Sequence, residues 1–374
     1  MSGSPGPARV QLHGRVWTGG DAEVVPGTVS LDADGRIVHI AHRDVRADGT
    51  PEAANRAADE PDGPGHGQID VIGTAQSWIG PGVVDAHVHQ AFADRPDELA
   101  PGLVGVRDLG APLASAQRWS GNPALTVSGP ILTGPGGYPS RSWGRDGFAR
   151  GIDSAADAVA VVTELATAGM QVIKVALEPG PGWAVPTPDV LRAVVDCAHD
   201  RGLAVVAHAL RLDMVHRALD ASIDELAHTP TERLGDEDVD RIADAGVSVV
   251  STLQTFFAAG DARAAAANAR DLVAAGVVLR YGTDLGNTGT TPGVDPRELD
   301  RLADAGLGRE GALLAATLHS ARAPGIRGRT GLLRLGEAAN LVVLSADPVL
   351  EPAAWRNPLV TFVDGRRSPV LIAH

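Results

Sequence analysis

The chain has 374 residues, a formal net charge of −14 and a single cysteine. That length suits one barrel with a smaller appendage as readily as several average domains, and a 44% hydrophobic share is that of an ordinary globular protein. The acidic surplus argues against nucleic-acid binding, one cysteine excludes an intramolecular disulfide, and no run approaches the ~18 uninterrupted apolar residues of a membrane span.

From Arg9 to Ile40 the apolar alternation of "RVQLHGRVWTGG" and "GTVSLDADGRIVHIA", broken by "DADG", predicts strands and a hairpin. The following "RDVRADGTPEAANRAADEPDGPGHGQ" is poor in large apolar residues, so a solvated loop without chemistry is expected, disordered around Thr50 to Gln68. No basic stretch followed by an apolar one precedes these elements, so no secretory signal is visible and a cytoplasmic location is expected.

From Gly80 to about Pro324 short apolar strands alternate with helical stretches, the pattern of parallel βα units. The strand candidates are "GVVDAHVH", "GLVGVRDLG", "LTVSGPILTG", "QVIKVALEP", "LAVVAHAL", "SIDELAHT", "VSVVSTLQT" and "VVLRYGTDLG". Between them lie amphipathic stretches such as "DSAADAVAVVTELATAG" and "PDVLRAVVDCAHDRG", each stopped by a glycine, with Cys197 read as a packing residue. Eight strands close a (β/α)8 barrel; a doubly wound open sheet is the alternative, disfavoured by the strand count and by the missing glycine-rich phosphate fingerprint. After Arg327, "GLLRLGEAANLVVLSADP" and "LVTFVDGRRSPVLIA" return to strand-like text. The expected fold is therefore α/β, with a barrel over residues 80–326 and a small β-sandwich built from residues 1–79 and 327–374.

In a strand, residues two apart share a face, so His87 and His89 aim at one point. Functional groups of a (β/α)8 barrel sit at the C-terminal ends of its strands. Lys174, His208, His228 and Asp284 end the fourth, fifth, sixth and eighth strand candidates there. A lone histidine at a strand end is more often a hydrogen-bonded core residue than a ligand. The combination of four imidazoles, a carboxylate and a lysine at one barrel end is what points to a metal centre. The remaining histidines, among them His199, His216 and His319, are read as surface or structural residues.

The stretches "PGVVDAHVH", "VIKVAL", "VVAHAL", "ELAHT" and "GTDLG", with the strand-rich ends, resemble the amidohydrolase superfamily over almost the whole chain. "GLVGVRDLG" is similar to the second-strand motif of its imidazolonepropionase-like branch and metal-dependent dipeptidase relatives, and "ANLVVLSADP" to their closing strand, with Asn340 where an aspartate is usual. The resemblance implies that His87, His89 and Asp284 hold a buried metal, that His208 and His228 hold a second, and that Lys174 bridges both as a CO2-derived carbamate. It further implies hydrolysis of an amide-type C–N bond by a metal-bridging hydroxide, with Asp284 as general base and acid. Zinc suits these donors, and manganese or iron takes the same set.

The loop "TGPGGYPSRSWGRDG" carries Tyr138 where the imidazolonepropionase-like relatives often carry a histidine, which argues against imidazolone chemistry. Its Gly-Pro-Gly-Gly run reads equally as a flexible turn. Tyr138, Arg141, Trp143 and Arg107 are expected to line the pocket, an arginine being suited to a substrate carboxylate; a structural role for Arg107 stays open. The expected substrate is a small molecule: a dipeptide-like amide, an N-acyl amino acid or a cyclic amide. A mononuclear deaminase or imidazolonepropionase-like hydrolase is the alternative, and a non-catalytic barrel scaffold the third reading. No nucleic-acid or membrane partner is expected, and a homo-oligomer stays open.

Overall fold

The computed structural model describes residues 8–42, 69–260 and 262–368. The loop read between Thr50 and Gln68 lies outside them. The described chain divides into two compact units: one takes in the residues up to Val83, Ala100–Val104 and those from Thr330 on, the other Val84–Leu99 and Gly105–Arg329.

In the first unit, Val10–Val16 pairs antiparallel with Val25–Leu31, which pairs in turn with Ile37–His42. The "DADG" hairpin forms because Asp32 Oδ1 accepts the N–H groups of Asp34 (3.0 Å) and Arg36 (2.9 Å) while Gly35 takes a φ of +73°. A Cβ at Gly35 would overlap the Gly365 carbonyl, so this turn requires glycine. The late strand Leu341–Leu344 lies antiparallel to Trp78–Pro81, which runs parallel to Val10–Val16. Strands from both ends of the chain thus share one branched eight-stranded sheet. Residues two apart, such as Leu341 and Val343, face one core with Leu12, Val16, Leu31 and Phe362.

The second unit alternates strands and helices. One sheet joins Val83–Val88, Leu103–Asp108 and Leu125–Val127; another runs Ala149–Gly151, Ile131–Thr133, Val172–Ala176, Ala204–His208, Glu225–Leu226, Ser248–Val250 and Leu279–Arg280, every pair of it parallel. Backbone hydrogen bonds run between the two from either edge of the three-stranded sheet, from Gln171 N–H to Val127 O (3.0 Å) and from Ala86 N–H to Tyr281 O (3.0 Å). The third expected strand is broken in two around Gly129, whose φ is +70°, and Ala149–Gly151 is an additional edge strand that the sequence pattern does not announce.

Helix boundaries follow their caps. Ser154 accepts the Asp157 N–H (3.1 Å) ahead of Ala155–Thr167, and Thr187 caps Pro188–His199, with proline at the first helical position, where no N–H is needed. The latter helix buries Val190, Leu191, Val194, Val195 and Ala198, one face at helical spacing, and Cys197 packs beside them. Leu109, Val172, Val206 and Ala227 form one fully buried apolar cluster of this unit. Among the described residues no helix is long and apolar enough to cross a membrane.

Candidate metal centre

All six residues expected to hold metal line one cavity of about 140 Å³, together with Tyr138 and Trp143. His87 lies within its strand and His89 just past the end. Lys174 sits mid-strand, His208 is the last residue of its strand, and His228 and Asp284 follow theirs closely. Asp284 has a φ of +53°, a left-handed conformation that aspartate tolerates better than most non-glycine residues. Its N–H donates to His87 O (2.8 Å), which fixes the turn against the first strand.

The carboxylate of Asp284 is the hub. Its Oδ1 lies 3.3 Å from His87 Nε2 and 3.4 Å from His89 Nε2, and its Oδ2 lies 3.8 Å from His228 Nδ1. One ligand atom from each of His87, His228 and Asp284 falls within 4.8 Å of the others. Burial pushes the Asp284 carboxyl upward, and the imidazoles of His87, His228 and His89 pull it below the usual carboxylate range only in their protonated forms. Burial, followed by the nearby Lys174 charge, lowers His87 well below the ordinary imidazole value; burial and His87 do the same to His228.

His87 and His228 are thus neutral at neutral pH, and hydrogen bonds at the second ring nitrogens decide which nitrogen faces the centre. His87 Nδ1–H donates to Ala227 O (2.9 Å) and His89 Nδ1–H to Gly110 O (3.2 Å), so each ring turns Nε2 to Asp284, and in the neutral His87 ring that nitrogen holds the lone pair. His87 Nε2 and Asp284 Oδ1 therefore face each other acceptor to acceptor at 3.3 Å, both buried, and neither has a hydrogen-bond partner. Two confronted acceptors repel unless a cation lies between them, so the donor set fits a divalent metal. Lys174 is 2% exposed and its Nζ likewise has no partner. Burial pushes its amine down to about 7, against the pull of Asp284.

Two carboxylates that the sequence pattern did not single out complete the surroundings. Asp85 accepts the N–H groups of His87 and Thr283 (3.1 Å each) and the Thr283 hydroxyl (2.6 Å), tying the His-x-His strand to the Asp284 turn. Burial pushes its carboxyl up to about 7. Glu178 lies 3.1 Å from His208 Nε2. Their signals were local: Asp85 precedes His87 by two positions, on the same strand face, and Glu178 follows Lys174 by four.

The pocket expectation is corrected at the arginines. Arg107 is 0% exposed; its Nε donates to Ala86 O (2.8 Å), its Nη1 to Pro324 O (3.1 Å) and its Nη2 to Glu225 Oε1. Glu225 also accepts from Arg280 Nε (2.6 Å) and Ser248 Oγ (2.8 Å). With its donors spent on this buried network, Arg107 has none to offer a substrate. Arg141 does not line the cavity either, and donates to Gly182 O (3.2 Å). Trp143 and Tyr138 do line it, and Trp143 Nε1–H donates to the Tyr138 hydroxyl (2.9 Å).

The sequence profile of the Amidohydrolase family matches residues 106–369. The chain belongs to the amidohydrolase family. This amidohydrolase is 28% identical over 329 residues to an uncharacterized protein of Mycobacterium tuberculosis (strain ATCC 25618 / H37Rv), covering 77% of this chain and 85% of that one. It is 30% identical over 172 residues to an imidazolonepropionase of Pseudomonas aeruginosa (strain UCBPP-PA14), covering 45% and 42% of the two chains. Among solved structures it resembles an amidohydrolase at TM-score 0.76 and 22% identity, over 96% of this chain and 98% of that one. It also resembles a Xaa-Pro dipeptidase with bound methionine in the active site at TM-score 0.75 and 19% identity, over 96% and 99%. At such identities the structural likeness shows a shared fold, while the family membership supports a hydrolase acting on carbon–nitrogen bonds.

Proposed function

We propose that this amidohydrolase cleaves an amide-type C–N bond at a binuclear metal centre inside a closed (β/α)8 barrel. In this reading His87, His89 and Asp284 would hold the inner ion and His208 and His228 the outer, with Lys174, as a carbamate, a ligand shared by both. The observation that carries it is the buried confrontation of His87 Nε2 with Asp284 Oδ1, beside the partnerless Nζ of Lys174. Two divalent ions, zinc or in its place manganese or iron, would supply Lewis-acid polarisation of the carbonyl and lower the pKa of the attacking water.

The residues divide the remaining work. An uncharged Lys174 amine would attack CO2, forming an N–C bond as one C=O π bond opens and releasing one proton, to leave a carbamate whose single negative charge is shared by two oxygens. Asp284 accepts the proton of the attacking water and returns it to the leaving nitrogen. Tyr138 accepts from Trp143, so its own O–H stays free to donate to the carbonyl oxygen as negative charge develops there. Ile131, Trp143, Leu210 and Phe256 give the cavity apolar walls, which favour an apolar or aromatic substituent on the amide. With Arg107 and Arg141 engaged elsewhere, a neutral amide is favoured over its free carboxylate.

The test is metal content together with a substrate panel of dipeptides, N-acyl amino acids and their amides, lactams and hydantoins. About two ions per chain with hydrolysis of at least one class supports the reading. About one ion per chain with full activity favours the mononuclear hydrolase, and a fully loaded protein that cleaves nothing on the panel refutes the proposal.

A further inference from the structure

We propose that Glu178 is a positioning residue that fixes the imidazole tautomer of His208 and so selects the nitrogen His208 offers to the outer metal. The second clause rests on the binuclear reading above; the first does not.

Of the four histidines at the centre, His228 turns Nδ1 to the Thr252 hydroxyl (3.0 Å), which can donate or accept, and the other three divide into two kinds. His87 and His89 spend Nδ1 on backbone carbonyls and present Nε2. His208 is the reverse: its Nε2 lies 3.1 Å from the Glu178 carboxylate. A carboxylate only accepts, so Nε2 carries the proton and Nδ1 is left with the lone pair. The meeting is built into the sheet. Ala176 and His208 are register partners of adjacent parallel strands, and Leu177 N–H donates to His208 O (2.8 Å), which brings the next side chain, Glu178, level with the ring. The ring is flanked by His228 and Tyr138, with centroids 4.8 and 5.3 Å away.

A carboxylate differs from a carbonyl in being charged. Its hydrogen bond to Nε2–H is charge-assisted and raises the donor strength of Nδ1. Such outer partners typically change metal affinity by about 10–100-fold when removed. His208 is thus tuned as the stronger of the imidazole ligands.

The experiment uses the full chain labelled with 15N-histidine. Long-range 1H–15N spectra of the metal-free protein, assigned with His208→Gln, read the tautomer, and calorimetric zinc titration reads the affinities. In the wild type His208 should be protonated at Nε2. Glu178→Leu should lose that tautomer and weaken the second zinc by about 10–100-fold while leaving the first unchanged. Glu178→Gln, which keeps an accepting oxygen but not the charge, should retain the tautomer and recover only part of the affinity. Protonation at Nδ1 in the wild type, or unchanged affinities in Glu178→Leu, overturns the proposal. Equal weakening of both zinc ions in Glu178→Leu, unrelieved in Glu178→Gln, would mean a merely structural role and also overturns it. If the wild type binds a single zinc, the binuclear reading fails and the outer-metal role falls with it, while the spectra still decide whether Glu178 sets the tautomer. Should Glu178→Leu not fold, the Gln variant alone decides through its tautomer and its second zinc.

Discussion

Replacing Arg107 by methionine separates the pocket role expected from sequence from the buried network found in the structure. The guanidinium donates to Glu225, Ala86 O and Pro324 O at 0% exposure, so the variant strips a buried carboxylate of one partner and leaves two carbonyls short of a donor. Breaking a buried ion pair from one side costs about 3–5 kcal/mol. Glu225 keeps Arg280 and Ser248, and Arg107 and Arg280 together hold it below its ordinary value against its burial, which puts this part near the lower end, about 3 kcal/mol. The two carbonyls add about 1 kcal/mol each, for about 5 kcal/mol in all. That approaches the lower limit of the whole stability of a typical native protein, about 5–15 kcal/mol. Urea unfolding measures the loss, and Arg107→Lys, which keeps the charge but not the three-way fork, should cost clearly less. Below the unfolding transition, KM of either variant for a neutral amide and for its carboxylate should change by no more than about twofold. A variant of normal stability whose KM rises selectively for the carboxylate would refute the assignment and return Arg107 to the pocket.

Lys174→Ala should bind less metal and nearly abolish hydrolysis, with formate or acetate restoring part of the activity by supplying bridging oxygens; normal metal loading and turnover without additive would rule out the carbamate bridge. His208→Ala should lose metal mainly from the outer position while the His87–His89 ion stays, read by elemental analysis, and unchanged occupancy would remove His208 from the centre. Burial pushes Glu298 from 4.5 up to about 7, against the Leu253 and Gln254 N–H groups that donate to its carboxylate. The native chain therefore keeps a proton that the unfolded chain has released, and the stabilisation, roughly 3 kcal/mol, is complete below the unfolded value and lost as pH rises through about 7. Urea stabilities of wild type and Glu298→Gln at about pH 5 and about pH 7.5 should show the smaller fall with pH in the variant, and identical slopes would refute it.

The sequence by itself determined the parts that depend on chain-local periodicity. A strand repeats every two residues, so "HVH" puts His87 and His89 on one face whatever surrounds them. The alternation of strands and capped helices placed Lys174, His208, His228 and Asp284 at strand ends; Lys174 instead lies in the middle of Val172–Ala176, yet the structure brings all four to one cavity. Hydrogen-bond partners were decided elsewhere. Arg107 and Glu225 are 118 positions apart, and no spacing rule distinguishes an arginine that meets a buried glutamate from one that opens into a pocket. The same holds for the nitrogen each histidine presents, which depends on whether its ring meets the Ala227 carbonyl, the Gly110 carbonyl or the Glu178 carboxylate. Periodicity fixes the face on which a side chain leaves its own strand, whereas its partner is fixed by the packing of strands distant in sequence, and hydrogen bonds form or fail over less than an ångström.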